Sequence, residues 1–153
     1  MKKALGFIFA GLLSAGLLAG CNGSSSNSNN GFGTNCGKPP PGFQILYPRN
    51  NAPRVPPNNA TAVYVAAKPP LVIGNSYNFL PVTSAGAQPY SSTFATYNGS
   101  IPAPHNTPAP GSTVYITQFL YPIAPLTSVQ LFWNDGGTGC TPNFLVSSFT
   151  TGQ

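Results

Sequence analysis

The chain has 153 residues, with six Lys and Arg, a single acid, one His and a formal net charge of +5. The sole acid, Asp135, excludes the paired-carboxylate chemistry of most glycoside hydrolysis, and the basic residues are too scattered to form the stripe that nucleic-acid binding needs. Eighteen Pro and 17 Gly would suit a disordered chain, but aromatic and β-branched residues recur throughout 43–149, so a core is available.

Lys2 and Lys3 precede an apolar run from Ala4 to Ala19. A charged n-region followed by an apolar h-region is the pattern of an export signal, and the run falls short of the ~20 predominantly apolar residues that cross a bilayer. It ends in "LLAGC" at 17–21: Leu18, small Ala19 and Gly20, then Cys21. This end resembles the lipobox of bacterial lipoproteins. The resemblance implies a diacylglyceryl group on the Cys21 sulfur, cleavage after Gly20 and acylation of the new amino terminus. It also implies a place in the bacterial cell envelope, held to the membrane through Cys21. Asn22, a residue other than Asp, is compatible with outer-membrane sorting where a cell has two membranes. Each buried CH₂ contributes about 0.8 kcal/mol and one acyl chain anchors only marginally, so several chains make the anchor stable.

Removal of 1–20 leaves Lys38, Arg49, Arg54 and Lys68 against Asp135. The next stretch, "NGSSSNSNNGFGTN" at 22–35, has almost nothing to bury and reads as flexible coil spanning roughly 20 Å. The expected organisation is a signal peptide over 1–20, a lipidated Cys and tether over 21–36, and one domain over 37–153. With Cys21 assigned to lipid, Cys36 and Cys140 remain as a disulfide pair in an oxidising compartment, or as two free thiols if their Cα atoms stay out of reach.

Within the domain, no stretch keeps helical periodicity for long without Pro or Gly, whereas strand signals recur. In chain order they are "FQILY" (43–47), "TAVYVAA" (61–67), "SYNFLPV" (76–82), "STFATY" (92–97), "TVYITQF" (113–119), "SVQLFWN" (128–134) and "FLVSSFT" (144–150). Val114 and Ile116 share one face; Val129, Leu131 and Trp133 share another, with Ser128 and Gln130 opposite. "IPAPHNTPAPG" (101–111) forms neither helix nor central strand, and "NDGGTG" (134–139) supplies glycines for a turn between the last two strands. About seven short strands separated by turn signals predict an all-β fold, a single β-sandwich.

"YPRNNAPRVPPNNATAVYV" (47–65), "IAPLTSVQL" (123–131) and "SSFTTG" (147–152) are similar to the opening, the lead into the sixth strand and the terminal strand of bacterial Ig-like domains. The resemblance covers about 47–152 and implies an Ig-like sandwich. Val129 stands where those domains commonly carry the Tyr of a tyrosine corner.

Chemistry-bearing groups are few. His105 lies in the Pro-rich loop and Asp135 in a turn, where its side chain is expected to bond its own backbone, so no triad is assembled. One His, one Asp and two disulfide-committed cysteines leave too few metal ligands, and no phosphate-cradling loop or cofactor motif is present. Recognition through aromatics remains: Tyr64, Tyr97 and Tyr115 on strands are the candidate ligand contacts, Tyr90 and Tyr121 lie on loops, and Trp133 suits the core. The expectation is a non-enzymatic envelope lipoprotein without cofactor or metal, its domain an interaction or structural module for another envelope protein or a polysaccharide. The alternative is a carbohydrate-binding module that stacks a polysaccharide on these aromatics.

Overall fold

In the computed structural model, which describes residues 34–72, 76–137 and 139–153, the strand signals become nine strands. They are β1 (Gln44–Tyr47), β2 (Ala52–Val55), β3 (Ala62–Ala67), β4 (Asn78–Thr83), β5 (Gly86–Ala87), β6 (Ala95–Thr96), β7 (Thr113–Gln118), β8 (Ser128–Asn134) and β9 (Phe144–Thr151). The signal segment, Cys21 and the tether up to residue 33 lie outside the described residues. Two sheets form, in the orders β1-β3-β7-β6 and β2-β9-β8-β4-β5, and close on one core as a β-sandwich.

Strand β8 follows its sequence directly: Val129, Leu131 and Trp133 are buried while Ser128 and Gln130 are exposed. Trp133 is the centre of the core, its ring 4.9 Å from Phe43, 5.3 Å from Tyr77, 5.8 Å from Phe94 and 6.2 Å from Phe79. Phe43 leads into the other sheet, so this cluster ties the layers together. Each offset or edge-on pair adds ~0.5–1.5 kcal/mol beyond the area it buries.

All seven expected strands form, although of 92–97 only Ala95–Thr96 is paired, and β2 and β5 are added to them. β2 reads "APRV", with a proline and an arginine, and it pairs parallel with the edge of β9 (Ala52 opposite Phe149, Val55 opposite Thr151). An edge strand tolerates Pro because one side needs no ladder bonds. Side chains help hold it: Asn50 Oδ1 accepts from the Ser148 N–H at 3.0 Å, and Ser148 Oγ donates to Asn51 Oδ1 at 2.9 Å. Asn51 has φ of 61°, a left-handed turn that Asn accepts more readily than most residues, and here the chain crosses from one sheet to the other. β5 is only a two-residue return on β4.

Strand β7 carries apolar residues on both faces, so its parity is ambiguous in sequence. Val114 and Ile116 do share a face, but it is the outer one, where both are half-buried. Tyr115 and Thr117 point into the sandwich, each 1% exposed. Thr117 is satisfied there, its hydroxyl donating to Ser91 Oγ at 2.8 Å. The outer side of this sheet is covered too: the Tyr97 ring packs on Tyr64 at 5.0 Å, and Asn106 donates its N–H to the Leu46 carbonyl and its side chain to that of Ile45, each at 2.9 Å. The Pro-rich segment is therefore a fixed cover on the β1 edge.

Candidate functional site

The two ends of β8 differ in character. At the Asn134 end, a disulfide joins Cys36 to Cys140 with their Cα atoms 4.9 Å apart. The Cys36 N–H donates to the Thr141 carbonyl at 3.1 Å and the Thr141 N–H to the Thr34 carbonyl at 2.9 Å, so residues expected in the tether are already bonded to the sandwich. Asp135 accepts from the Gly137 N–H at 2.9 Å, the backbone bond expected of it in the turn, and also from the Gly37 N–H at 2.7 Å. Gly136, at φ of 78°, brings its Cα so close to Ser76 that an added Cβ would sit 2.8 Å from that residue's nitrogen. This turn therefore requires glycine.

Cys36, Asp135 and Cys140 place their ligand atoms within 4.8 Å of one another. With both sulfurs in the disulfide, however, only one carboxylate remains to coordinate anything. His105 is on the Pro-rich cover, exposed, with its Nδ1 3.1 Å from the Asn106 carbonyl. Asp135 and His105 thus serve separate backbone neighbourhoods, and the structure does not bring them together.

The candidate contact tyrosines do not form an exposed face. Tyr115 lies inside the sandwich and its hydroxyl accepts the Leu71 N–H at 2.9 Å. Tyr64 is 8% exposed between Tyr47 and Tyr97, and Tyr97, half-buried, donates its hydroxyl to the Ser100 carbonyl at 2.9 Å. Burial raises the pKa values of the Tyr47 and Tyr64 phenols above the ordinary value, and the neighbouring Tyr97 raises that of Tyr64 further. These rings fill the sheet and its cover, and a ligand would find little of them to touch.

An exposed apolar surface lies at the other end of β8, about 20 Å away for a strand of seven residues. Here the β7–β8 loop, 119–127, and the turn after β4 enclose a groove of about 220 Å³ whose lining includes Pro81, Thr83, Gln88, Leu120, Tyr121 and Ile123. Among the described residues, none that lines it is charged. Ile123 is buried as a plug, and the C-terminal end of β9 pins the loop from behind. Thr151 Oγ1 donates to the Ala124 carbonyl at 2.7 Å and accepts from the Thr127 N–H at 2.8 Å, while the Leu126 N–H donates to the Gly152 carbonyl at 3.1 Å.

On this pinned loop Leu120, Tyr121 and Leu126 are 62%, 65% and 68% exposed. Leu126 has φ of 56°, a left-handed conformation that costs a non-glycine residue about 1–2 kcal/mol, and it recovers little by packing. Gln88, whose amide donates to Thr83 Oγ1 and to the Gly86 carbonyl at 3.2 Å each, supplies an oriented polar group at the rim. The signal for this site was in the sequence: "FLYPIAPL" at 119–126 is apolar yet broken by two prolines, so it cannot bury itself as a strand.

No protein-family model matches the chain, and no curated protein and no solved structure matches it significantly.

Proposed function

We propose that the chain is a lipid-anchored lipoprotein of the bacterial cell envelope whose sandwich is a non-enzymatic interaction module, presenting the groove of Leu120 and Tyr121 to an envelope protein. The observation that carries this reading is the placement of exposed apolar side chains on a hydrogen-bonded loop at the end of β8 away from Cys36, where the tether enters. Exposed apolar residues rimmed by polar ones mark contact surfaces. A position at the end of β8 away from Cys36 leaves this one clear of the leader that enters there.

The strand order supports an Ig-like assignment. Strands β1, β3, β7 and β6 take the A, B, E and D places of that sandwich, and β4, β8 and β9 the C, F and G places, with β2 as a second half of the first strand. The disulfide is not the one between B and F known from antibody domains: it links the segment before β1 to the β8–β9 turn.

Two experiments test the reading. Cys21→Ala should move the protein out of the membrane fraction and remove the lipid mass; retention in the membrane with unchanged mass refutes the anchor. A photo-crosslinking residue at position 121 should trap a discrete protein adduct in intact cells, whereas one at the exposed strand position 130 should not. Equal labelling from both positions, or none from 121, rules out the loop groove. The carbohydrate reading keeps one observation in its favour, an exposed Tyr121 in a groove that Gln88 also lines. It requires polysaccharide retention that Tyr121→Ala abolishes and Leu120→Ser leaves intact.

A further inference from the structure

A second surface lies at the disulfide end. β2 takes the outer edge of β9 only from Phe149 onward, with the Asn51 N–H reaching the Ser148 carbonyl at 2.7 Å. Before that point Phe144 and Leu145 pair with Trp133 and Phe132 of β8 on one side, and among the described residues no strand pairs with the other side of Phe144–Val146. Along β4 and β1, by contrast, loop residues take up edge carbonyls. Gln88, Ser91 and Phe94 donate their N–H groups to the Pro81, Phe79 and Tyr77 carbonyls along β4, and Asn106 covers β1.

The open stretch borders a groove of about 330 Å³, with Phe144, Leu145 and Val146 on one wall and Lys38, Pro39 and Pro40 on the other. Prolines have no N–H to give, so the leader that passes alongside is a poor partner for the strand. Phe144 and Leu145 are 37% and 46% exposed, and β9, "FLVSSFTT", contains no charge to guard its edge. Open backbone groups beside the apolar run Phe144–Val146 suit an extended peptide as the occupant, added as a further strand.

Charge selects among occupants. Lys38 is exposed, and the chain's only side-chain carboxylate, Asp135, is engaged by Gly37 and Gly137. A second copy pairing β9 to β9 would bring no side-chain carboxylate other than its own Asp135, held like the first by Gly37 and Gly137. The preceding segment, 22–33, carries no acid and a single apolar side chain, Phe32. We infer that the Lys38–Val146 groove docks an extended segment of a different protein, one that carries an apolar side chain for the Phe144–Val146 wall and an acidic group for Lys38. This surface does not depend on the loop groove at the other end of β8.

The test uses the full chain, purified as cells make it with the disulfide intact, and two synthetic peptides, Ser-Val-Thr-Val-Ser-Val-Asp and its counterpart ending in Lys. The acidic peptide should bind about fivefold more tightly than the basic one, and Lys38→Glu should invert that order, as expected for one solvent-exposed ion pair. Amide exchange at 144–146 should slow about tenfold in the complex while 149–151, already paired with β2, stays unchanged. Lys38 is exposed, so its replacement leaves folding intact. The proposal is overturned by an absence of binding, by equal binding of both peptides, by indifference to Lys38→Glu, or by self-association through 144–146 without peptide.

Discussion

Replacing Tyr115 by Phe removes one oxygen from the interior and separates a core tyrosine from a ligand-binding one. The ring is 1% exposed, and its hydroxyl accepts from the N–H of Leu71, itself 6% exposed, at 2.9 Å. The Phe ring still fills the space, so the loss is not that of a cavity. What remains is a buried N–H without an acceptor, at a cost of about 1–3 kcal/mol. For a domain of this size that lowers Tm by roughly 4–12 °C. The same change at Tyr97, whose hydroxyl meets the Ser100 carbonyl at the surface, should cost less than about 0.5 kcal/mol. Denaturant unfolding followed by Trp133 fluorescence, with the disulfide intact in both variants, gives the two midpoints at constant slope. A Tyr115→Phe variant within about 0.5 kcal/mol of the parent, or equal costs at both sites, would refute the assignment of Tyr115 to the core.

Reduction of Cys36–Cys140, which spans 104 residues, should lower stability by up to about 4.7 kcal/mol, read as the shift between oxidised and reduced unfolding curves; a negligible shift would mean that the clamp adds nothing. Ser147 is buried with no partner for its hydroxyl among the described residues, so Ser147→Ala should raise stability by about 1 kcal/mol in the same assay. Leu126→Gly should relieve the left-handed backbone and raise Tm by a few degrees, roughly 1 kcal/mol, while weakening adduct formation from position 121. Because the folded-state pKa values of Tyr47 and Tyr64 are raised, the unfolded chain loses these protons first. Stability should therefore be level below about pH 10 and fall as pH rises through the folded values, with late-titrating phenols visible by ultraviolet absorbance.

The parts of the fold legible in the sequence are those where one physical signal acts alone. β8 alternates with polar residues on one face only, and its inward set is the one alternation assigns. The glycines of 134–139 include two at positive φ, Gly136 and Gly139, and the cysteine count pairs Cys36 with Cys140. Where two signals compete, local reading fails. β2 is an edge strand of Pro and Arg held partly by Asn50 and Asn51, and no period announces it. β7 is apolar on both faces because the 97–107 segment covers the outer one, so alternation alone could not say that Tyr115 turns inward. Strand membership marks Tyr64, Tyr97 and Tyr115 as contact candidates, yet exposure depends on what packs over a strand, a tertiary fact. The loop aromatics, on segments with nothing to cover them, were the better candidates.

The position of the disulfide fits the function proposed for the loop end. A partner held at Leu120 and Tyr121 and an anchor reached through Thr34 would pull on opposite ends of β8 and β9, which share a ladder from Ser128–Thr150 to Trp133–Phe144. With Cys36 joined to Cys140, the pull between these two points runs along the covalent backbone of β8, and the ladder's hydrogen bonds are spared the load. Without the Cys36–Cys140 bond, the same pull would enter through Phe43 and β1, a four-residue edge strand with an irregular register to β3, and would peel it from the sheet. With the bond, it passes from Cys36 directly to the β8–β9 turn, where the Asp135 carboxylate and the Thr141 backbone already hold the leader. The covalent link therefore sits where a tethered module in the proposed orientation would need it, in a chain with too few charges to supply the same connection through ion pairs.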